Sequence, residues 1–291
     1  MIQCVLAKRE VRTSVSRVLY ILLLLSTLAM GVVRAEVLPE DTLQLTASER
    51  AYQQQIELYF RYYEEQKPDS AELALRKALE ILPEAEGNFL LKGNLAELVV
   101  SRGDTLGAVT LLGEALGKVP NVTRLRSRRA ELLEECGRLS DALLDLDYLV
   151  QSQPTWEIPL YNRARVKMKM GLLDGAIADL QSIVQMNDKA YLPRIALAKV
   201  LAKKGDLVGA EQVATYLINH YPKTPHAYRT RARIRLQDGR KAEALKDIRY
   251  VINDLKAATA EDYRIRGDIW KAYGEEGEAE ADYERADLLQ P

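Results

Sequence analysis

Residues equipped for covalent chemistry are scarce in this 291-residue chain, which has two histidines and two cysteines. His220 and His226 lie beside Pro222 and Pro225, and no cysteine or carboxylate stands near them at a spacing that completes a metal site. No G-x-S-x-G turn presents an activated serine, and no G-x-x-x-x-G-K-[ST] loop presents a phosphate cradle. An enzyme, a bound metal and a cofactor are therefore not expected. Cys136 reads as a packing thiol at a helix end, with an intermolecular disulfide as the alternative. What recurs instead is positive charge. Arg165, Lys169, Lys199, Lys203, Arg229, Arg233, Arg264 and Lys271 follow one another in pairs through the second half. Their chemistry is anion binding, with guanidinium groups forking onto carboxylates and ammonium groups acting as point charges.

The elements that position these pairs repeat. Gly103, Gly137, Gly171, Gly205, Gly239 and Gly274 are spaced 34, 34, 34, 34 and 35 residues apart. Five residues after each comes an alanine: Ala108, Ala142, Ala176, Ala210, Ala244 and Ala279. Seven residues before each comes another small residue: Ala96, Ala130, Ala164, Ala198, Ala232 and finally Gly267. A fixed period of this length marks stacked supersecondary units. The glycine closes one helix in the left-handed conformation, and the two small residues let the helices on either side approach closely. From the second alanine, apolar residues recur at i, i+4 and i+7, as in Ala176, Leu180 and Ile183, which makes one stripe of a helix. Pro120, Pro154, Pro222 and Pro291 stop the helix at the end of several units.

This motif, Tyr161-Asn162-Arg163-Ala164 through Gly171, Ala176, Leu180 and Ile183 with its five counterparts, closely resembles the tetratricopeptide repeat (TPR). The resemblance implies an all-α fold, an α-solenoid (right-handed superhelix) of six to seven helix pairs. The pairs fall at about 89–120, 123–154, 157–188, 191–222, 225–256 and 260–291. A degenerate first copy covers 52–83. There Tyr59 replaces the small residue and Gln66 the glycine, so its turn is expected to be looser or longer.

The resemblance also implies that the first helix of each pair lines a concave groove. The places facing it lie ten, six, three and two residues before each glycine. They hold the eight basic residues above, with Asp268 the one acid among them and Tyr161 supplying flat apolar contact. In the second and third repeats the same places hold Glu97, Glu131, Glu134 and Glu135. The groove is thus expected to be acidic at one end and basic toward the carboxyl terminus. The paired asparagines of the family's carboxylate clamp are missing, since Asn162 stands alone.

The amino terminus differs from the rest. Lys8, Arg9, Arg12 and Arg17 precede the apolar run Val18 to Val33, and Val33-Arg34-Ala35 offers small side chains for cleavage after Ala35. The alternative is an uncleaved anchor, but a run of 16 residues is shorter than the roughly 20 that span a bilayer. Residues 36–50 read as a polar lead-in and 51–291 as the solenoid. Cleavage removes five Lys and Arg and one Glu from the 41 and 42, leaving 36 basic against 41 acidic side chains, a net of −5. An acidic balance argues against nucleic-acid binding. Asn121-Val122-Thr123 is a glycosylation acceptor pattern.

The expectation is an exported, non-catalytic scaffold, in a periplasm or outside the cell. It takes an acidic protein or peptide segment in its groove, with no membrane span in the mature chain. Two alternatives remain open: a self-assembling component of an envelope complex, and an accessory domain that positions an anionic polysaccharide.

Overall fold

The computed structural model describes residues 45–289. The signal segment, the expected cleavage after Ala35 and the closing Pro291 lie outside the described residues. Among those described there are fourteen α-helices and no strand. Contacts divide them into two units between Arg138 and Leu139. The first unit holds α1 (Ala47–Glu64), α2 (Pro68–Ile81), α3 (Asn88–Ser101), α4 (Thr105–Lys118) and α5 (Thr123–Glu135). The second holds α6 (Leu139–Ser152), α7 (Glu157–Lys169), α8 (Leu173–Met186), α9 (Tyr191–Lys204) and α10 (Leu207–His220). It continues with α11 (Pro225–Gln237), α12 (Lys241–Arg249), α13 (Ala260–Tyr273) and α14 (Glu276–Leu288). Each helix packs on the next within its unit, and α9 touches α11 as α11 touches α13. Packing on the neighbour and on the neighbour but one is the pattern of an α-solenoid.

The first helix begins earlier than its sequence suggests. Residues 47–50, expected in the lead-in, are helical because Thr46 and Glu49 form a capping box. The Thr46 hydroxyl accepts from the Glu49 N–H, and the Glu49 carboxylate accepts from the Thr46 N–H.

The turns explain the glycine register. Gly171 has φ +78°. Its N–H donates to the Met168 carbonyl at 3.3 Å, and the Leu172 N–H donates to the Lys167 carbonyl at 2.8 Å. Those two bonds satisfy carbonyls left over at the helix end, and the geometry needs a residue in the left-handed region. The first pair overturns the expectation of a longer turn. Gln66 itself takes φ +55°, and the same two bonds form, from Gln66 to Tyr63 and from Lys67 to Tyr62. The chain accepts a strained backbone there and keeps the turn length of the other pairs.

Close packing follows the small residues. Ala164, Ala176, Ala198, Ala210, Ala232 and Ala244 are at most 1% exposed. At Gly267 the fit is tighter still, since an added Cβ would stand 2.6 Å from the Tyr283 ring. Around Ala164 and Ala176 gather Leu160, Leu180, Ile183, Leu197 and Val200, a continuous apolar core between helix pairs. Burying each large aliphatic contributes about 1.5–3 kcal/mol.

The single 35-residue interval has a structural outlet. After α12 the chain makes a π-helical turn, Tyr250–Asp254, in which the Leu255 N–H reaches back to the Tyr250 carbonyl. Lys256 then takes φ +50°. A wider turn absorbs one extra residue without shifting the stripe that ends at Val251, which stays fully buried.

Candidate functional site

The first helices of the second unit present two different sets of cations. One set is buried toward the second helices. Arg163 and Lys167 of α7 reach Asp179, Arg231 and Arg235 of α11 reach Asp247, and Arg266 of α13 reaches Asp282. The other set is exposed, and it contains most of the residues expected in the groove. Arg165, Lys169, Lys199, Lys203, Arg233, Arg264 and Lys271 all reach solvent.

Three of these line one cleft. Lys199, Ala202 and Lys203 of α9 face Thr230, Arg233, Ile234 and Gln237 of α11 across a space of ≈520 Å³. Its floor is apolar, because Ile234 is 2% and Ala202 8% exposed. Two bonds tie successive first helices, α9 to α7 and α11 to α9. Lys203 Nζ donates to the Met168 carbonyl at 3.2 Å, and one repeat later Gln237 Nε2 donates to the Ala202 carbonyl at 3.2 Å. Both side chains lie two places before their turn glycine and cap the preceding first helix. Arg233 makes a surface pair with Glu261 at 2.8 Å, both partners over 40% exposed. Lys199 has no ion pair among the described residues. Further along, Arg264 pairs with Asp287 at 3.3 Å, and Asp268 accepts a hydrogen bond from the Tyr283 hydroxyl at 2.9 Å. With Glu261 and Asp287 present as well as Asp268, the excess of positive charge on this face is smaller than the register alone suggested.

Arg229 requires a correction, because it is not a groove cation. It is 6% exposed, and its Nε and Nη2 bond Asp262 Oδ1 and Oδ2 at 2.6 Å each. Nη2 also donates to the Ala257 carbonyl at 3.1 Å. The Asp262 hydrogen bond raises the guanidinium pKa, against the opposing effect of burial. Asp262 in turn accepts from the N–H and hydroxyl of Thr259, the cap of α13. Arg229 therefore ties down the irregular link that carries the extra residue, and its charge is already matched.

The acidic places of the first unit are also matched in part. Arg128 of α5 forks onto Glu97 of α3 at 2.9 Å through both nitrogens, and reaches Glu131 at 3.2 Å. The Glu97 hydrogen bond raises the Arg128 pKa. Glu134 is buried, 6% exposed, so it is not a surface acid as expected. Glu135 is exposed. The position nine before Gly137, which holds Arg128, lay outside the set of facing places and was missed for that reason. Tyr161 is half-buried, with part of its ring against the core around Ala164. Cys136 is half-buried at the end of α5. Among the described residues no three His, Cys, Asp or Glu side chains are grouped so as to hold a metal ion. Among the same residues no helix is long and apolar enough to cross a membrane.

Comparison with solved structures agrees with this architecture. The chain is similar to a tetratricopeptide repeat protein from Parabacteroides merdae, with 26% identity over 83% of this chain and 94% of that one, at a TM-score of 0.70. Pseudomonas aeruginosa PilF matches 84% of this chain and 100% of its own with 16% identity and a TM-score of 0.51. A thermophilic TPR protein of Thermus thermophilus covers 58% of this chain and 92% of its own, with 20% identity and a TM-score of 0.50. No family model and no curated protein matches the sequence. The fold is that of the tetratricopeptide repeat proteins, a helical-repeat scaffold for protein interaction.

Proposed function

We propose that this chain is an exported, non-catalytic scaffold that binds an acidic segment of another protein on the first-helix face of its second unit. The observation that carries this reading is the cleft between α9 and α11, where Lys199, Lys203 and Arg233 converge above an apolar floor. A carboxylate entering there meets cations from two helices at once. It competes for Arg233 with the exposed Glu261, a weak competitor in water, and shares Lys203 with the Met168 carbonyl. Export rests on the three-part amino-terminal sequence ending at Ala35.

The test is a titration of the protein with fluorescein-labelled polyglutamate. Reversing Lys199 and Lys203 to glutamate should weaken binding several-fold, and the wild-type affinity should fall as salt shortens the screening length below about 8 Å. Lys246→Glu, on an exposed second-helix face, should change little. Equal binding by the Lys199/Lys203 reversal would remove the reading. For export, sequencing of the protein recovered outside the cytoplasm should start near Glu36, whereas an intact Ile2 in membranes would favour an anchor.

A further inference from the structure

We infer that the segment this face accepts is an amphipathic helix, with carboxylates along one flank and large aliphatic side chains along the other. The inference rests on the proposed acidic-segment reading and adds the second flank. Ile158 of α7 and Leu192 of α9 are 58% and 62% exposed. Both stand thirteen places before their turn glycine, and Arg165 and Lys199 stand seven residues further on in the same helices. Seven residues are two turns, so each aliphatic lies on the same side as its cation and about 10.5 Å from it along the axis. Between them, at the intermediate turn, sit the half-buried Tyr161 and the 8% exposed Ile195. The face thus carries two parallel stripes, one apolar and one basic, separated by about the 10–12 Å width of a helix with its side chains.

Leu90 of α3 shares this register and is 38% exposed, but it belongs to the first unit and the place seven residues on is Glu97, so no cation accompanies it. Leu144 and Val208 are 69% and 70% exposed, but they sit on second helices at different registers. The apolar stripe ends at α11, where the equivalent place is His226, and at α13 it is Glu261, the partner of Arg233. Isolated exposed aliphatics are ordinary on any protein. Two at one register on successive first helices, flanking an apolar floor and a basic row, form a surface whose complement is charged on one side and apolar on the other. α7 and α9 approach closely enough for Lys203 Nζ to reach the Met168 carbonyl at 3.2 Å, and a helix lying across them would meet Ile158 and Leu192 with aliphatics about two turns, or seven residues, apart.

The experiment uses the full chain and three labelled helical peptides of about 21 residues, a length of roughly 30 Å. The first carries a glutamate stripe and a leucine stripe with seven-residue spacing, the second has serine for every leucine, and the third has glutamine for every glutamate. The first should bind, and the other two should bind about tenfold or more weakly, as loss of a buried aliphatic or a paired charge implies. Ile158→Ser with Leu192→Ser should produce the same loss for the first peptide only. Both residues are exposed, so circular dichroism should show the fold unchanged. If the serine peptide binds as well as the first, the inference fails while the acidic-segment reading stands. If the glutamine peptide binds as well as the first, or no peptide binds, the reading fails with it.

Discussion

Arg163 and Asp179 lie eight residues either side of Gly171, and they meet across the turn in a two-pronged pair, Nε to Oδ2 at 2.9 Å and Nη2 to Oδ1 at 2.6 Å. Burial opposes the charge on Arg163, yet Asp179 and Asp147 hold its pKa above the ordinary value. The same two places hold Arg231 with Asp247 and Arg266 with Asp282. In the repeat around Gly205 they hold Leu197 and Val213, packed against the apolar core. The chain therefore uses two solutions at one site, a matched ion pair or a matched aliphatic pair. Asp282→Ala, which strands Arg266 at 15% side-chain exposure, should cost about 3–5 kcal/mol in urea unfolding. Arg266→Leu combined with Asp282→Val should cost far less than that single change, or stabilise. A double variant as unstable as Asp282→Ala would mean that the pair contributes more than mutual neutralisation.

Ala176 is fully buried in the core of its helix pair. Leucine there has no room and must push α7 and α8 apart, so Ala176→Leu should destabilise by about 1–3 kcal/mol. An unchanged melting temperature would show that the contact relaxes freely.

Gln66 occupies a left-handed backbone that six glycines take in the other turns. A side chain there costs roughly 1–2 kcal/mol, partly offset by the greater freedom glycine loses on folding. Gln66→Gly should therefore raise stability by up to about 1 kcal/mol, read as a higher melting temperature with the helical circular dichroism unchanged. A lower melting temperature would mean that the glutamine side chain makes a compensating contact.

Tyr52 is fully buried and donates its hydroxyl to Asn88 Oδ1 at 2.9 Å. Burial pushes its pKa up to about 12, whereas an unfolded chain ionises near pH 10. The folded state holds the proton more tightly, so this contribution is intact below pH 10 and is lost as pH rises through 12. Melting temperatures should fall over that window, and Tyr52→Phe should make the fall shallower. Tyr59, also raised to about 12 by burial, should keep part of the slope in the variant. Identical slopes for the two proteins would contradict the assignment.

The sequence by itself determined the repeat. Gly171, Ala164 and Ala176 are local requirements, a left-handed turn and a close helix contact, and a local requirement leaves a mark at a fixed spacing. The capping box of Thr46 and Glu49 is a local mark as well, a threonine with a glutamate three places on, yet residues 47–50 read as lead-in without it. The Arg163–Asp179 pair was not legible, because nothing local states that places eight residues either side of a glycine face each other. Tertiary structure alone decided what each charge meets. Arg229 and Arg233 are four residues apart on one helix and look alike in sequence. A one-residue insertion ahead of α13 brings Asp262 and Thr259 up to Arg229 and buries it, while Arg233 stays in solvent beside Glu261. Arg128 likewise reaches Glu97 from 31 positions away in sequence. Coulomb attraction depends on distance in space, and the distance between residues of different repeats exists only once the helices have packed.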